Sequence, residues 1–176
     1  MASTREKLLA TTFKFAAAFN DWDVDEILAL RSENCLLHPC CPSFTARPFN
    51  KEETRTASLE WASLTSHHRF RIIDKSNILV DEAAKKVMLR GRVTADTVVG
   101  PYENDYIYIL RMTEDCTLVD EIWYFYDTLR IQELLDRLAA NQMPLGGVGG
   151  FVALPDGTSA EHDKGSSDNI EPKSAA

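Results

Sequence analysis

The chain has 176 residues, of which 44% are apolar and 26% charged, with a formal net charge of -8, values that suit one globular domain with a single core and fall short of two. No stretch gathers Lys and Arg without interleaved acids, which argues against a nucleic-acid footprint and against attraction to an anionic membrane surface. No apolar run approaches the roughly 20 residues needed to cross a bilayer.

Ser3 followed three residues later by Glu6 is a capping-box pattern, and Leu8, Thr12, Phe15 and Phe19 recur at the spacing of one helical stripe. Glu6 and Lys14 interrupt this segment, so it reads as mature helix rather than a secretory leader. Asp23 with Glu26 repeats the cap before Ile27, Leu28 and Leu30, predicting a short second helix. Glu33 to His38 predicts a strand, and Pro39 to Pro48 a loop. Asn50 with Glu53 starts a third helix carrying Leu59, Trp61 and Leu64.

From His67 onward β-rich runs follow one another: Phe70, Ile72 and Ile73 with Ile78, Leu79 and Val80, then Val87 to Val99, Tyr102 to Met112 and Thr117 to Tyr126. Short turns are expected at Asp81 to Lys86, at Gly100-Pro101 and at Glu114-Asp115, so the strands should pair antiparallel as a curved meander. Leu129, Leu134, Leu135 and Leu138 form a last helical stripe ending near Asn141. Residues 142–176 read as a Gly-rich and then acidic tail, disordered from about residue 155, with Phe151, Val152 and Leu154 free to dock on the body or a partner. Residues 1–141 are the expected domain. Helices followed by a curved meander give an α+β cone in which helices close the concave side of the sheet around a pocket.

Strand alternation proposes which side chains share a face, though not which face turns inward. Tyr102, Asn104, Tyr106 and Tyr108 share one face, and Ile122, Tyr124 and Tyr126 another; the phenols are candidate donors to a developing enolate or, alternatively, cross-strand packing groups. Arg90, Arg92, Thr94 and Asp96 also share a face, turned either to a wet cavity or to solvent. His38 titrates in the right range for a general base, or is a structural histidine. Asp96 is a base if an apolar pocket raises its pKa, and otherwise a turn or ion-pair residue. Arg92 either orients a substrate oxygen or pairs with an acid on the surface. His67 and His68 are expected near the helix connection, in contact with solvent or a dimer partner.

Cys35, Cys40, Cys41 and Cys116 are expected to be reduced thiols, and no zinc-ligand spacing is present. Nucleophile-elbow, P-loop and dinucleotide-binding signatures do not occur.

The segments AFNDWDVDEILALRSENCLLHP, LRGRVTADTVVGPYENDYIYIL and VDEIWYFYDT resemble the SnoaL-like branch of the nuclear-transport-factor-two superfamily, over about residues 4 to 139. Within it the chain is most similar to the fungal meroterpenoid isomerases of the terretonin and austinol type, with the brevianamide semipinacolase nearby. The stretch TADTVVGPYENDY carries the most specific part of the likeness.

This resemblance implies a cytoplasmic homodimer with no metal or organic cofactor, working as an isomerase or cyclase on a terpenoid or polyketide intermediate by acid/base proton transfer. It implies pocket positions at His38, Tyr102, Tyr106 and Tyr124, and Tyr124 stands where many relatives carry a carboxylate. The expected catalytic set is therefore His38 or Asp96 moving the proton while Tyr106 and Tyr124 hold the oxygen. Tyr102, Asn104, Arg92, Trp61 and Phe44 are expected to bind substrate. The alternatives are a dehydratase or epoxide hydrolase on the same fold, and a non-catalytic binding or dimerisation module.

Overall fold

The computed structural model describes residues 2–20, 22–41 and 47–143. Its first helix, α1 (Thr4–Ala18), opens on the expected reciprocal cap: Ser3 Oγ accepts the Glu6 amide at 3.2 Å while the Ser3 amide donates to Glu6 Oε2 at 2.7 Å. Caps of this kind stabilise a helix by about 1 kcal/mol. Leu8, Thr12 and Phe15 form its buried stripe. Asp23 accepts the amides of Asp25 and Glu26 and starts α2 (Val24–Ala29), after which β1 (Arg31–Pro39) begins.

Asn50 and Glu53 cap each other to start α3 (Lys51–Leu64), which passes without a loop into β2 (Thr65–Ile72). A short β3 (Leu79–Asp81), the long hairpin of β4 (Lys86–Thr97) and β5 (Gly100–Met112), then β6 (Val119–Tyr126) and α4 (Thr128–Ala140) complete the described chain. Among the described residues no helix is long and apolar enough to cross a membrane.

The strands form one sheet in the order β1-β6-β5-β4-β2, with β3 also paired to β4. β4, β5 and β6 are antiparallel neighbours as expected, whereas β1 lies parallel to β6, joining the first strand to the last. β1 and β2 occupy opposite ends of this order, yet α3 packs against both. A flat sheet would hold those ends roughly 19 Å apart at the usual strand spacing, so the sheet curls around the helices into the expected α+β cone.

Alternation sorts the hairpin cleanly. Val87, Leu89, Gly91, Val93 and Ala95 of β4 and Tyr102, Asn104, Tyr106, Tyr108 and Leu110 of β5 are buried on the inner face, continued on β6 by Ile122, Tyr124 and Tyr126. Arg90, Arg92, Asp105, Ile107, Trp123 and Phe125 occupy the outer face.

Several expectations need correction. The β4–β5 turn lies at 98–99 instead of Gly100-Pro101, because Gly100 and Pro101 already pair with Thr97 and Asp96. Gly100 adopts φ 106°, a left-handed conformation suited to glycine, and Thr97 Oγ1 donates to its carbonyl at 2.6 Å. Leu59 and Leu129, assigned to apolar stripes, are exposed. The expectations for Phe44 and for the tail beyond Met143, including docking by Phe151, Val152 and Leu154, fall outside the described residues.

Candidate active site

Inside the cone lies a partly enclosed, mostly apolar hollow. Phe15 and Phe19 of α1, Trp61 of α3, Leu37 of β1 and Ile122 of β6 supply much of its wall. The phenols come from the sheet. The chain contains five tyrosines, and all five, Tyr102, Tyr106, Tyr108, Tyr124 and Tyr126, are buried on the inner face of β5 and β6.

Four of these rings make a grid. Tyr106 stands opposite Tyr126 and Tyr108 opposite Tyr124 across the β5–β6 ladder. Ring centroids lie 5.6 Å apart for Tyr106 and Tyr108, 6.1 Å for Tyr108 and Tyr124, and 5.6 Å for Tyr124 and Tyr126. Stacking at these distances contributes about 0.5–1.5 kcal/mol per pair beyond burial and holds the rings in place. Burial pushes the pKa of every one of these phenols upward, most strongly for Tyr106 and Tyr124. They are neutral at physiological pH and serve as proton donors in hydrogen bonds rather than as bases.

Above Tyr106 the polar contacts form a chain. Tyr106 Oη is 2.8 Å from Tyr102 Oη, and Asn104 Nδ2 donates to Tyr102 Oη at 3.1 Å. Asn104, 2% exposed, is itself clamped on the backbone of Asp127: Nδ2 donates to the Asp127 carbonyl at 3.0 Å and Oδ1 accepts the Asp127 amide at 3.2 Å.

The sequence analysis did not single out Arg31, at the start of β1. Its side chain lines the hollow and is only 5% exposed. Nε has no hydrogen-bond partner among the described residues, and the ionisable groups that act on the guanidinium are Cys35, Tyr108 and Tyr124, none of them a carboxylate. Burial lowers its pKa, but a guanidinium stays charged. An uncompensated buried cation costs several kcal/mol, and this one makes the hollow a place where an oxygen carrying negative charge is strongly favoured. Thr54 and Ser58 of α3 also line the hollow, the Thr54 hydroxyl donating to the Asn50 carbonyl at 2.8 Å.

Of the expected site residues, Tyr106, Tyr124 and Trp61 line the hollow, and Tyr102 and Asn104 stand behind Tyr106. The other three described candidates do not reach it. His38 pairs with Trp123 across the β1–β6 ladder, which puts it on the outer face; it stacks on Trp123 at 5.1 Å and meets Glu121 Oε1 at 2.8 Å. Its neighbour Leu37, opposite Ile122, takes the inward position. Asp96 is exposed and pairs with His67 Nδ1 at 3.0 Å. Arg92 also points outward and is held by Asp105 at 2.6 Å and Glu103 at 3.1 Å, the surface pairing weighed as its alternative. His67 is exposed as expected, whereas His68 is buried, stacked on Trp22 at 4.7 Å, with Nε2 2.6 Å from Thr65 Oγ1.

No carboxylate or imidazole lines the hollow among the described residues. Cys35, near Arg31, has its thiol pushed up to about 11 by burial and is not a thiolate at neutral pH.

No family model matches the chain. Individual relatives do. Austinoid biosynthesis cluster protein F of Aspergillus calidoustus is 49% identical over 151 residues, covering 86% of each chain. The isomerase PrhC of Penicillium brasilianum is 47% identical over 174 residues, covering 99% of this chain and 98% of its own. The PrhC structure superposes with a TM-score of 0.80, covering 85% of this chain and 98% of PrhC. The BvnE pinacolase of Penicillium brevicompactum superposes at 0.75 with 25% identity, covering 80% and 96% of the two chains.

Proposed function

Because the chain belongs to the family of fungal SnoaL-like proteins that includes the isomerase PrhC and the austinoid-cluster proteins, we propose that it is an isomerase or cyclase acting on a terpenoid or polyketide intermediate of a fungal secondary-metabolite pathway. The observation that carries this reading is Arg31: a buried cation with no carboxylate beside it among the described residues, in an apolar hollow walled by neutral phenols.

The chemistry follows from the charge. When a C–H proton next to a carbonyl leaves, the electron pair moves onto the carbonyl oxygen. Arg31 supplies the counter-charge for that oxygen, and the Tyr106 hydroxyl donates a hydrogen bond to it, with Tyr108 and Tyr124 alongside. Solvent water entering the mouth of the hollow takes the proton and, as hydronium, returns one to a different carbon, which completes a rearrangement that conserves mass. The described wall offers no carboxylate or imidazole as base, which favours a substrate whose C–H bond is already acidified by flanking carbonyls. The protein's part is then to hold the enolate. The proton transfer first assigned to His38 and Asp96 has no support from their positions on the outer face and at the surface.

The test is incubation of the purified protein with intermediates of austinoid-type pathways, followed by mass spectrometry. A product of unchanged mass whose formation falls at least tenfold in Tyr106→Phe supports the reading. Loss of water favours the dehydratase alternative, and full activity in Tyr106→Phe overturns the assigned role.

The same proposal includes a homodimer. The outer sheet face exposes Leu36, Ile107 and Phe125 around Trp123. One rim carries Arg90, Arg92, Glu103 and Asp105, the other Arg111, Asp120 and Glu121. An apolar centre with both signs of charge on its rims suits a two-fold match with a second copy. A cytoplasmic location fits the four free thiols.

A further inference from the structure

We propose that Asn104 is a positioning residue that fixes the direction of hydrogen bonding along Tyr102 and Tyr106, so that the Tyr106 proton is presented to the hollow. The proposal rests on the donor role of Tyr106 put forward above.

The direction follows from counting donors and acceptors. Asp127, the residue that caps α4, has its amide and its carbonyl both held by Asn104. An amide can satisfy that pair in one orientation only, with Oδ1 toward the amide and Nδ2 toward the carbonyl. The second Nδ2 proton therefore points at Tyr102 Oη, 3.1 Å away, and Tyr102 must accept it.

Tyr102 is 3% exposed, and among the described residues its hydroxyl meets Asn104 and Tyr106. Its own proton consequently goes to Tyr106 Oη at 2.8 Å. The reverse arrangement, Tyr106 donating to Tyr102, would leave the Tyr102 proton buried without an acceptor, which costs about 1–3 kcal/mol. With its oxygen already accepting, Tyr106 turns its proton to the cavity it lines. Each bond in such a chain strengthens the next, so Tyr106 becomes a better donor than an isolated phenol. The polarity of a catalytic donor is thus set at the strand–helix junction by a residue that need not touch substrate.

Asn104→Asp keeps the side-chain size, gives up the hydrogen bond to the Asp127 carbonyl and reverses the polarity toward Tyr102: the new carboxylate accepts from Tyr102, Tyr102 then accepts from Tyr106, and the Tyr106 proton is withdrawn from the hollow. The probe is 4-nitrophenol, whose anion is coloured and stands in for an enolate oxygen. Its affinity and its ionised fraction are measured for the wild type, N104D, Y102F, the N104D/Y102F double variant and Y106F.

The relay predicts about tenfold or greater weakening in N104D and no further loss when N104D is added to Y102F, because the effect travels through the Tyr102 hydroxyl. Equal loss from N104D in both backgrounds means that Asn104 merely braces Asp127, and overturns the proposal. If N104D does not fold, Y102F decides alone: the relay requires weaker binding of the anion, and unchanged or tighter binding overturns it. Equal affinity in wild type and Y106F shows instead that Tyr106 is not the donor, a separate failure that removes the premise and the relay with it.

Discussion

The ring of Phe70 lies on the bare backbone of Gly91: a Cβ added to Gly91 would stand 2.2 Å from Phe70 Cζ. Phe70 in turn packs against Phe19 and Tyr108, each at 5.7 Å between ring centroids. Glycine at this point of β4 is a niche for an aromatic ring. Gly91→Ala should destabilise the protein by about 2 kcal/mol through overpacking, lowering the melting temperature by about 4–8 °C. Shortening the partner in Gly91→Ala/Phe70→Leu should recover part of that loss in a thermal melt. An unchanged melting temperature in the single variant would contradict the close approach.

Arg31 sets stability against function. Arg31→Met removes a buried charge that has no carboxylate beside it among the described residues and keeps much of the side-chain volume, so the melting temperature should hold or rise. Affinity for an enolate analogue such as 4-nitrophenolate should fall on the order of 100-fold, the usual effect of deleting one strong anion-stabilising group. Calorimetric melting and absorbance titration of the same sample check both halves. A large loss of stability with unchanged affinity would assign Arg31 to structure.

Asp105 gives an acid-dependent contribution that can be isolated. Two hydrogen bonds from Arg92, and one from Arg90, bring its carboxyl down to about 2. A depressed folded-state pKa means that the stabilisation is fully present above the unfolded value near 4 and is lost as pH falls toward 2. The carboxylate is partly exposed, so solvent screening reduces the effect to about 1 kcal/mol. Asp105→Asn should therefore unfold at lower urea concentration than the wild type at about pH 6, with the gap closing through the pH 4 to 2 range. A gap that does not depend on pH would show that packing, rather than charge, is responsible.

Phe125→Glu places a charge at the centre of the outer apolar face, beside Trp123 and Ile107. Light scattering should give a dimer mass for the wild type and a monomer mass for the variant, without loss of the tyrosine wall on the opposite face. A monomeric wild type would remove the homodimer from the proposal.

The helices were legible because their starts are written locally: Ser3 with Glu6 and Asn50 with Glu53 form the reciprocal caps their spacing implied, and Asp23 starts α2 by accepting the Asp25 and Glu26 amides without a returning bond from Glu26. The tyrosine wall was legible for a similar reason, since a period of two along β5 and β6 groups Tyr102, Tyr106, Tyr108 and Tyr124 whichever way the sheet faces. Facing itself is a property of pairing. β1 changes register against β6 between Arg31 and Leu36, so alternation counted along the chain could not show that Leu37 turns inward and His38 outward. Arg31 stood at the seam between α2 and β1, and its burial depends on a parallel partner contributed from the far end of the domain. A lone arginine after an apolar helix carries no local sign of that.

The parallel pairing of β1 with β6 also orders events on the ribosome. Translation releases α1, α2 and β1 long before the strand that completes their sheet exists, so the guanidinium at position 31 begins life in water. It can be sealed away only once Val119 and its neighbours emerge and dock beside it. The charged lining is consequently among the last parts of the molecule to be closed off, and a nascent chain halted inside the β4–β5 hairpin carries α1, α2 and α3 but lacks the β6 side of the hollow.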